Sequence, residues 1–374
     1  MRILFTFIGG SGHFQPLIPF ARAAQARGHT VAVAGGAARQ AEIKAAGFAA
    51  FATSEPRPRP AASAEPTLEP VDPQAEERQL RKGFAGTGAR RHATRIRDLA
   101  QSWHADLIVR DEVDFGSAIA AELLGIPCAS VVILPTGGFL RPEIIAEPLE
   151  ELRAEYGLAP DPQLSWLYQG PLLAPFPPTL RDPAFPLPPT AFHCRSIDAV
   201  ENGTPTDRPP AVYFSLGTVY GVRELIERVL AGLATTTTKA HVVATVGERF
   251  DPASFGPHPD RMRIERFIPQ QELLPASDLV ISHAGSGTLL GTLAHGLPSL
   301  LLPMGADQTH NAKRCEQLGV ARVLDPLTAT PDAVSAAVDT LLNDRSHRAA
   351  ADRIRQEFNA LAGPEAAVRT FEQA

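Results

Sequence analysis

Residues 278–311 hold the densest chemistry in this chain of 374 residues. Leu279, Val280 and Ile281 form a short apolar run, as a buried parallel strand would. His283-Ala-Gly285-Ser286-Gly287-Thr288 follows, a tight glycine turn that opens into a helical pattern stopped by Gly296-Leu-Pro298. A strand, a glycine turn and a helix start together make an anion site, because unpaired backbone N–H groups converge there and the helix dipole adds partial positive charge. His283 can donate to a phosphate oxygen, and the hydroxyls of Ser286 and Thr288 can join it. A second apolar stretch at 299–303 leads to Asp307 and Gln308, a carboxylate and an amide suited to paired sugar hydroxyls. One βαβ unit thus offers a diphosphate cradle beside a hydroxyl clamp.

His13 is the second candidate. Residues 3–8 read as a first buried strand, 9–13 as a Gly-Gly-Ser-Gly-His turn, 14–27 as an amphipathic helix and 30–34 as the next strand. That places His13 at the carboxyl edge of the first strand, where open α/β sheets bind ligands. An imidazole there suits removal of a hydroxyl proton near neutral pH; the plainer role is a helix cap. Gly9, Gly10 and Gly12 do not make the dinucleotide pattern G-x-G-x-x-G, and Gly35-Gly36 stands where an acid would meet a ribose, so no nicotinamide or flavin is expected.

The rest of the chain must position these two groups. Its length suggests two domains, and a 44% hydrophobic content supplies ample core. A net charge of −6 gives no footing for nucleic acid or an anionic membrane surface. No stretch reaches the roughly 20 apolar residues that span a bilayer. The first apolar run is too short for a signal peptide, and three cysteines, Cys128, Cys194 and Cys315, show no metal spacing, so a reducing cytoplasm is the expected compartment. Residues 55–73, dense in proline and charge, read as a surface loop, either a lid or a free insertion. Residues 76–103 read as one Arg-rich helix with a solvated face.

Leu107–Asp111 reads as a strand ending in an acid, Phe115–Leu124 as a helix and 128–134 as a strand followed by Pro135-Thr136-Gly137-Gly138. From 141 to 190 the pattern weakens: residues 149–157 read as a short helix started by Pro148. Trp166, Tyr168, Phe176 and Phe185 either wall an apolar cavity or pack loops. Residues 211–216 open a second series of alternating elements, with helices expected at 220–233, 312–318, 331–343 and 346–361 and strands at 241–246 and 263–267.

As one spaced set, Phe267-Ile268-Pro269-Gln270, His283 to Thr288, Gly296-Leu-Pro298 and Asp307-Gln308 resemble the donor signature of GT-B glycosyltransferases that act on small molecules, such as plant UDP-glycosyltransferases and bacterial antibiotic glycosyltransferases. The opening resembles the acceptor half of the same proteins, including Arg27-Gly28-His29 before the second strand. The resemblance implies an α/β fold of two doubly wound domains facing across a cleft. Residues 1–200 would bind acceptor, 201–210 would link, 211–345 would bind a nucleotide sugar, and 346–374 would form a helix crossing back. It implies His13 as general base and Asp111 as its partner, with Asp114 as runner-up and helix capping as the plainer role of either. It implies Ser215, Gly217 and Thr218 near the diphosphate, and main-chain contacts to the base from Ile268 and Gln270. Gly12, Phe14, Thr136 and Gly137 would border the acceptor.

The implied reaction is metal-independent and inverting: the base frees an acceptor hydroxyl, which attacks the anomeric carbon in line. No cofactor is expected beyond the nucleotide sugar as co-substrate. The partners are that sugar and a small aglycone, with no nucleic acid and no stable membrane association; a homodimer is compatible with the chain. UDP-using relatives carry a Glu eight positions after the signature His, and here that position is Gly291, which favours a dTDP-sugar. A sugar-nucleotide epimerase and a catalytically silent auxiliary protein are the competing readings.

Overall fold

The computed structural model describes residues 1–56, 67–200, 208–217 and 221–373. Two wholly parallel sheets organise the chain. The first contains β1 (Arg2–Thr6), β2 (Thr30–Gly35), β3 (Ala49–Ala52), β4 (Leu107–Asp111), β5 (Cys128–Val131), β6 (Leu172–Ala174) and β7 (Phe192–His193), in the order β3-β2-β1-β4-β5-β6-β7. The second contains β8 (Ala211–Ser215), β9 (His241–Thr245), β10 (Met262–Glu265), β11 (Leu279–Ser282), β12 (Ser299–Leu301) and β13 (Ala321–Val323), in the order β10-β9-β8-β11-β12-β13. Parallel strands need long crossovers, and helices supply them, covering both faces of each sheet. The central strands β4 and β11 are therefore buried at every position, and each opens on an apolar run, Leu107 to Val109 and Leu279 to Ile281.

Both sheets reverse strand order at the same place. The chain steps outward from β1 through β2 to β3, then returns to add β4 on the other side of β1; the second sheet repeats this with β8 and β11. At such a switch point the connections leave in opposite directions and open a crevice at the carboxyl ends of the two strands. Both expected sites follow these strand ends.

Contacts divide the chain into two compact units. Ala199–Ala360 belongs to the second, whereas Asp72–Asp198 and the chain from Leu361 onward belong to the first. The crossing back was expected from 346. The helix Arg345–Ala360 instead packs against the helix Ser286–Ala294 of the second unit. The chain joins the first unit from Leu361, through the Cys194–Ala362 bridge and the helix Pro364–Phe371, where Ala367, Val368 and Phe371 enter the core.

Several local expectations are corrected. Pro16 and Pro19 split the first helix into Ser11–Phe14, a 3-10 turn and Ile18–Ala26. The helix expected at 149–157 runs over Pro142–Glu155, with Pro142 in its first turn and Pro148 inside it. The segment expected as one helix is α-helical over Pro73–Arg78, π-helical over Gln79–Gly88 and α-helical again over Ala89–Trp103. Trp166 and Phe176 are buried, and the Arg153 guanidinium lies 4.7 Å from the Trp166 ring centre, so these two rings pack the fold. Residues 57–66 of the expected surface loop and 201–207 of the expected linker lie outside the described residues.

Candidate functional site

The first site is built around Asp111. β4 delivers it to the switch point fully buried, and three backbone N–H groups hold its carboxylate. Ile8 donates to Oδ2 at 3.0 Å, and Val113 and Asp114 donate to Oδ1 at 2.8 and 2.9 Å. Such donors fix the oxygens without adding a formal charge. His13, on the short helix after β1, sets its Nδ1 3.4 Å from Asp111 Oδ2 and keeps 23% of its side chain exposed. The pair thus links a solvent-reachable imidazole to a buried, oriented carboxylate.

Asp114, the runner-up, does other work. It caps the helix Phe115–Leu124 through Ser117, and His92 Nδ1 lies 3.0 Å from its Oδ1. Burial raises its carboxyl, but the His92 charge and the hydrogen bonds from His92 and Ser117 outweigh this and hold it below the usual carboxylate range.

Two neighbours of Asp111 escaped the sequence reading. Arg110 is buried and donates to the carbonyls of Asp111, Glu112 and Leu167, so its guanidinium serves as a backbone clamp. A charged residue inside the otherwise apolar Leu107–Asp111 strand was the available signal. Glu112 is also buried and accepts from Leu134 N at 3.1 Å. Burial pushes its carboxyl up to about 8, aided by the Asp111 charge and opposed by Arg181, the Leu134 N–H and Arg110. At neutral pH it is largely protonated.

The other acceptor candidates fare unequally. Gly12 is exposed. Phe14 is a correction: it is fully buried, stacked 5.2 Å from Phe7, and belongs to the core because it turns inward from the helix that presents His13. Thr136 is buried too, and its carbonyl accepts from Asp182 N at 3.0 Å. A Cβ on Gly137, whose φ is +77°, would come within 2.8 Å of Arg181 Cζ. Arg181 also donates to Leu134 O and Phe185 O. Thr136 and Gly137 therefore lie under a clamp and present little side chain to a ligand.

The second site is mostly backbone. His283 follows β11, and its ring is wedged between two glycines. A Cβ on Gly217 would fall 2.6 Å from its Cε1, and one on Gly285 would fall 2.4 Å from its Nε2. Gly217 adopts φ +72°, so two constraints require glycine there. Burial lowers the His283 ring to about 4. At neutral pH it is an uncharged imidazole, a hydrogen-bond donor to an anion rather than a counter-charge. Ser215 ends β8, and its Oγ accepts from Gly217 N at 3.2 Å. Thr218 lies outside the described residues.

The helix Ser286–Ala294 begins at Gly285 without a side-chain cap, which leaves its first N–H groups to a ligand or solvent. Ser286, Gly287 and Thr288 form its first turn. The preceding Ala284 holds φ +65°, a left-handed conformation costly for alanine. Asn311, fully buried, pins that turn. Its Nδ2 donates to Ala284 O at 2.9 Å, to Asp307 Oδ2 at 2.8 Å and to Ser286 Oγ at 3.2 Å. Ser286 Oγ donates to the same Asp307 oxygen. Asn311 was not among the expected site residues; an amide one turn beyond Asp307 on the helix Gln308–Gln317 was the readable hint.

Gln308 is buried, and its Oε1 accepts from Met304 N at 2.8 Å, so this amide closes the turn after β12. Gln270 Nε2 reaches Gly287 O at 3.5 Å, and Ile268 is half-buried nearby in sequence. A Cβ on Gly291 would meet Leu274 Cδ1 at 3.0 Å and Gln270 Nε2 at 3.2 Å, so this face of the helix is sealed.

Burial pushes the Cys194 and Cys315 thiols up to about 12 and Cys128 to about 11, which removes thiolate nucleophiles near neutral pH. Among the described residues, no helix is long and apolar enough to cross a membrane.

Several known proteins are similar to this chain. Residues 227–373 match the family model described as erythromycin biosynthesis protein CIII-like, C-terminal domain. L-demethylnoviosyl transferase of Streptomyces niveus is 29% identical over 96% of this chain and 94% of its own. The 10-deoxymethynolide desosaminyltransferase of Streptomyces venezuelae is 27% identical over 96% and 93%. Among solved structures, the glycosyltransferase SnogD from Streptomyces nogalater superposes with a TM-score of 0.77 at 25% identity over 100% of this chain and 99% of that one. The glycosyltransferase VinC, solved in complex with dTDP, gives 0.75 at 25% identity over the whole of both chains.

Proposed function

We propose that the chain, similar to bacterial enzymes of antibiotic biosynthesis, is a glycosyltransferase of the GT-B fold that moves a deoxysugar from a dTDP-sugar to a hydroxyl of a small natural-product aglycone with inversion. The observation that carries this reading is the His13–Asp111 pair at the switch point of the first sheet, 3.4 Å apart. Asp111, fixed by three N–H donors, orients the imidazole and stabilises the imidazolium that forms when His13 takes the hydroxyl proton. The freed oxygen attacks the anomeric carbon opposite the departing diphosphate, and this in-line path inverts the centre.

The leaving group gains negative charge as the bond breaks. The N-terminal N–H groups of the helix Ser286–Ala294, the neutral His283 donor and the Thr288 hydroxyl stabilise it, and they act with no reorganisation because the turn is already pinned. Gly291 supports the nucleotide assignment. Glycine offers no side-chain acceptor for two ribose hydroxyls, so a 2′-deoxyribose loses less, and Leu274 Cδ1 and Gln270 Nε2 lie only 3.0 and 3.2 Å from where a Cβ there would stand. The names of the similar enzymes, a demethylnoviosyl and a desosaminyl transferase, support a deoxysugar.

A panel of nucleotide sugars and aglycones, read by mass spectrometry with the anomeric configuration assigned by NMR, tests the proposal. His13→Ala is the control. Turnover retained in that variant removes the base, a retained anomeric configuration removes the in-line path, and tighter calorimetric binding of UDP than dTDP removes the donor assignment.

A further inference from the structure

Residues 79–88 form a π-helix ten residues long between two ordinary α-helices. π-helical hydrogen bonding is less favourable than α-helical bonding, and it survives where the surroundings demand it, often beside functional groups. The demand here is visible. A Cβ on Gly88 would lie 2.6 Å from Ile8 Cδ1, just past the end of β1, and 2.5 Å from the Gly83 carbonyl oxygen of the same π-helix, so the helix packs tightly both within itself and against Ile8. Ile8 is the residue whose N–H donates to Asp111. The widened turn therefore presses on the same strand end that carries the site. Its result is that Phe84, half-buried, lays its ring on the imidazole of His13, with centroids 5.8 Å apart and planes 22° apart.

We infer that Phe84 is a positioning residue for the base, delivered by the π-helix, which holds the His13 ring in the plane that meets Asp111 and braces it from the face. The inference rests on the reading of His13 as base. Asp111 meets one ring nitrogen, and the backbone at Gly9, where a Cβ would fall 2.8 Å from His13 Cδ2, lies close against the ring; the stacked Phe84 ring covers a face and limits rotation about the Asp111 contact. The aromatic face also carries partial negative charge, so it favours the imidazolium formed during the reaction. Carboxylate at the edge and phenyl on the face thus act on the same developing charge from two directions. An α-helical path through residues 79–88 would turn Phe84 further round the axis, away from His13.

Phe84→Leu keeps apolar bulk and loses the ring, whereas Phe84→Tyr keeps both. Phe84→Leu is expected to lower kcat roughly tenfold with the donor KM within twofold of the parent, since a misplaced base slows chemistry without loosening the nucleotide. Phe84→Tyr is expected to restore most of it. A second readout needs no turnover. The ring protons of His13, assigned by loss of their signals in His13→Ala, are expected to be shifted upfield by the Phe84 ring and to move downfield in Phe84→Leu. Parental kcat in Phe84→Leu, with His13→Ala inactive, overturns this inference and leaves the base intact. Full turnover in His13→Ala overturns both. If Phe84→Leu does not fold, the histidine signals of the parent and of Phe84→Tyr decide, and their lack of an upfield shift overturns the stack.

Discussion

The two switch points make a natural pair. Each follows the first and fourth strands of a parallel sheet in the same strand order, and each carries a histidine at a strand end. Yet His13 is partly exposed and faces a carboxylate, whereas His283 is wedged between two glycines and buried. On the proposed reading, the same residue type serves as a proton acceptor in one setting and as a neutral donor in the other. Surroundings, not fold position, assign the role: a carboxylate held by N–H groups favours a charged ring, and burial favours an uncharged one. The buried groups beside the two sites also pull stability in opposite directions with pH.

The largest expected effect breaks one half and spares the other. His13→Ala should lower kcat by about 10²- to 10⁴-fold while dTDP binding by calorimetry stays near the parent value. Loss of both would mean that the sites are not chemically separate. The mirror experiment is Gly217→Ala. A Cβ 2.6 Å from His283, on backbone at φ +72°, should weaken dTDP binding more than tenfold and leave the backbone hydrogen bonds to Asp111 untouched. Unchanged affinity would show that the His283 wedge is not part of the cradle.

Stability against pH sharpens the contrast next. His283 has its folded value lowered to about 4 from an ordinary 6.5. The unfolded chain then binds more protons between these values, so its contribution is complete above about 6.5 and is lost as the pH falls toward 4. The size is on the order of 3 kcal/mol. Glu112 has its folded value raised to about 8 from 4.5. The folded state binds the extra proton, so its contribution is present below about 4.5 and is lost as the pH rises through 8. Denaturant melts across pH should show His283→Gln flattening the acid side and Glu112→Gln flattening the alkaline side. A variant that leaves its own limb unchanged sinks that assignment. The smallest effect expected is Asn311→Ala, which strands the buried Ala284 carbonyl and should cost about 1–3 kcal/mol of stability with weaker dTDP binding. A variant that melts and binds like the parent would show that the left-handed turn holds itself.

The same contrast explains what the sequence disclosed. The second site lies almost wholly within 283–311, where spacing along the chain is spacing in the fold; glycines, His283 and Asp307 could be read in place. The first site is assembled from the ends of β1 and β4, a π-helix and a loop near Arg181, and only His13 and Asp111 stand at strand ends that periodicity reveals. Phe84 could not be read, because a π-helix rotates its residues away from the 3.6-residue pattern. Phe14 was misread because a short helix broken by prolines turns consecutive residues to opposite faces. Strands β6 and β7 were missed for their brevity among prolines. Gln308 also closes a turn through Oε1, which accepts from Met304 N, a structural role that its place in the sequence does not announce.

The return of the chain to its first unit has a consequence for how the protein is made. Phe371 and its neighbours in the helix Pro364–Phe371 fill the core beside Leu17, Phe20 and Val31, although the whole of Ala199–Ala360 is synthesised between them. The first sheet therefore emerges from the ribosome with an unfilled apolar groove along the helix Ile18–Ala26, and it waits for the helix Pro364–Phe371 to seal it. Nascent chains stalled before residue 361 should carry that groove open, a binding place for chaperones that the finished protein no longer offers.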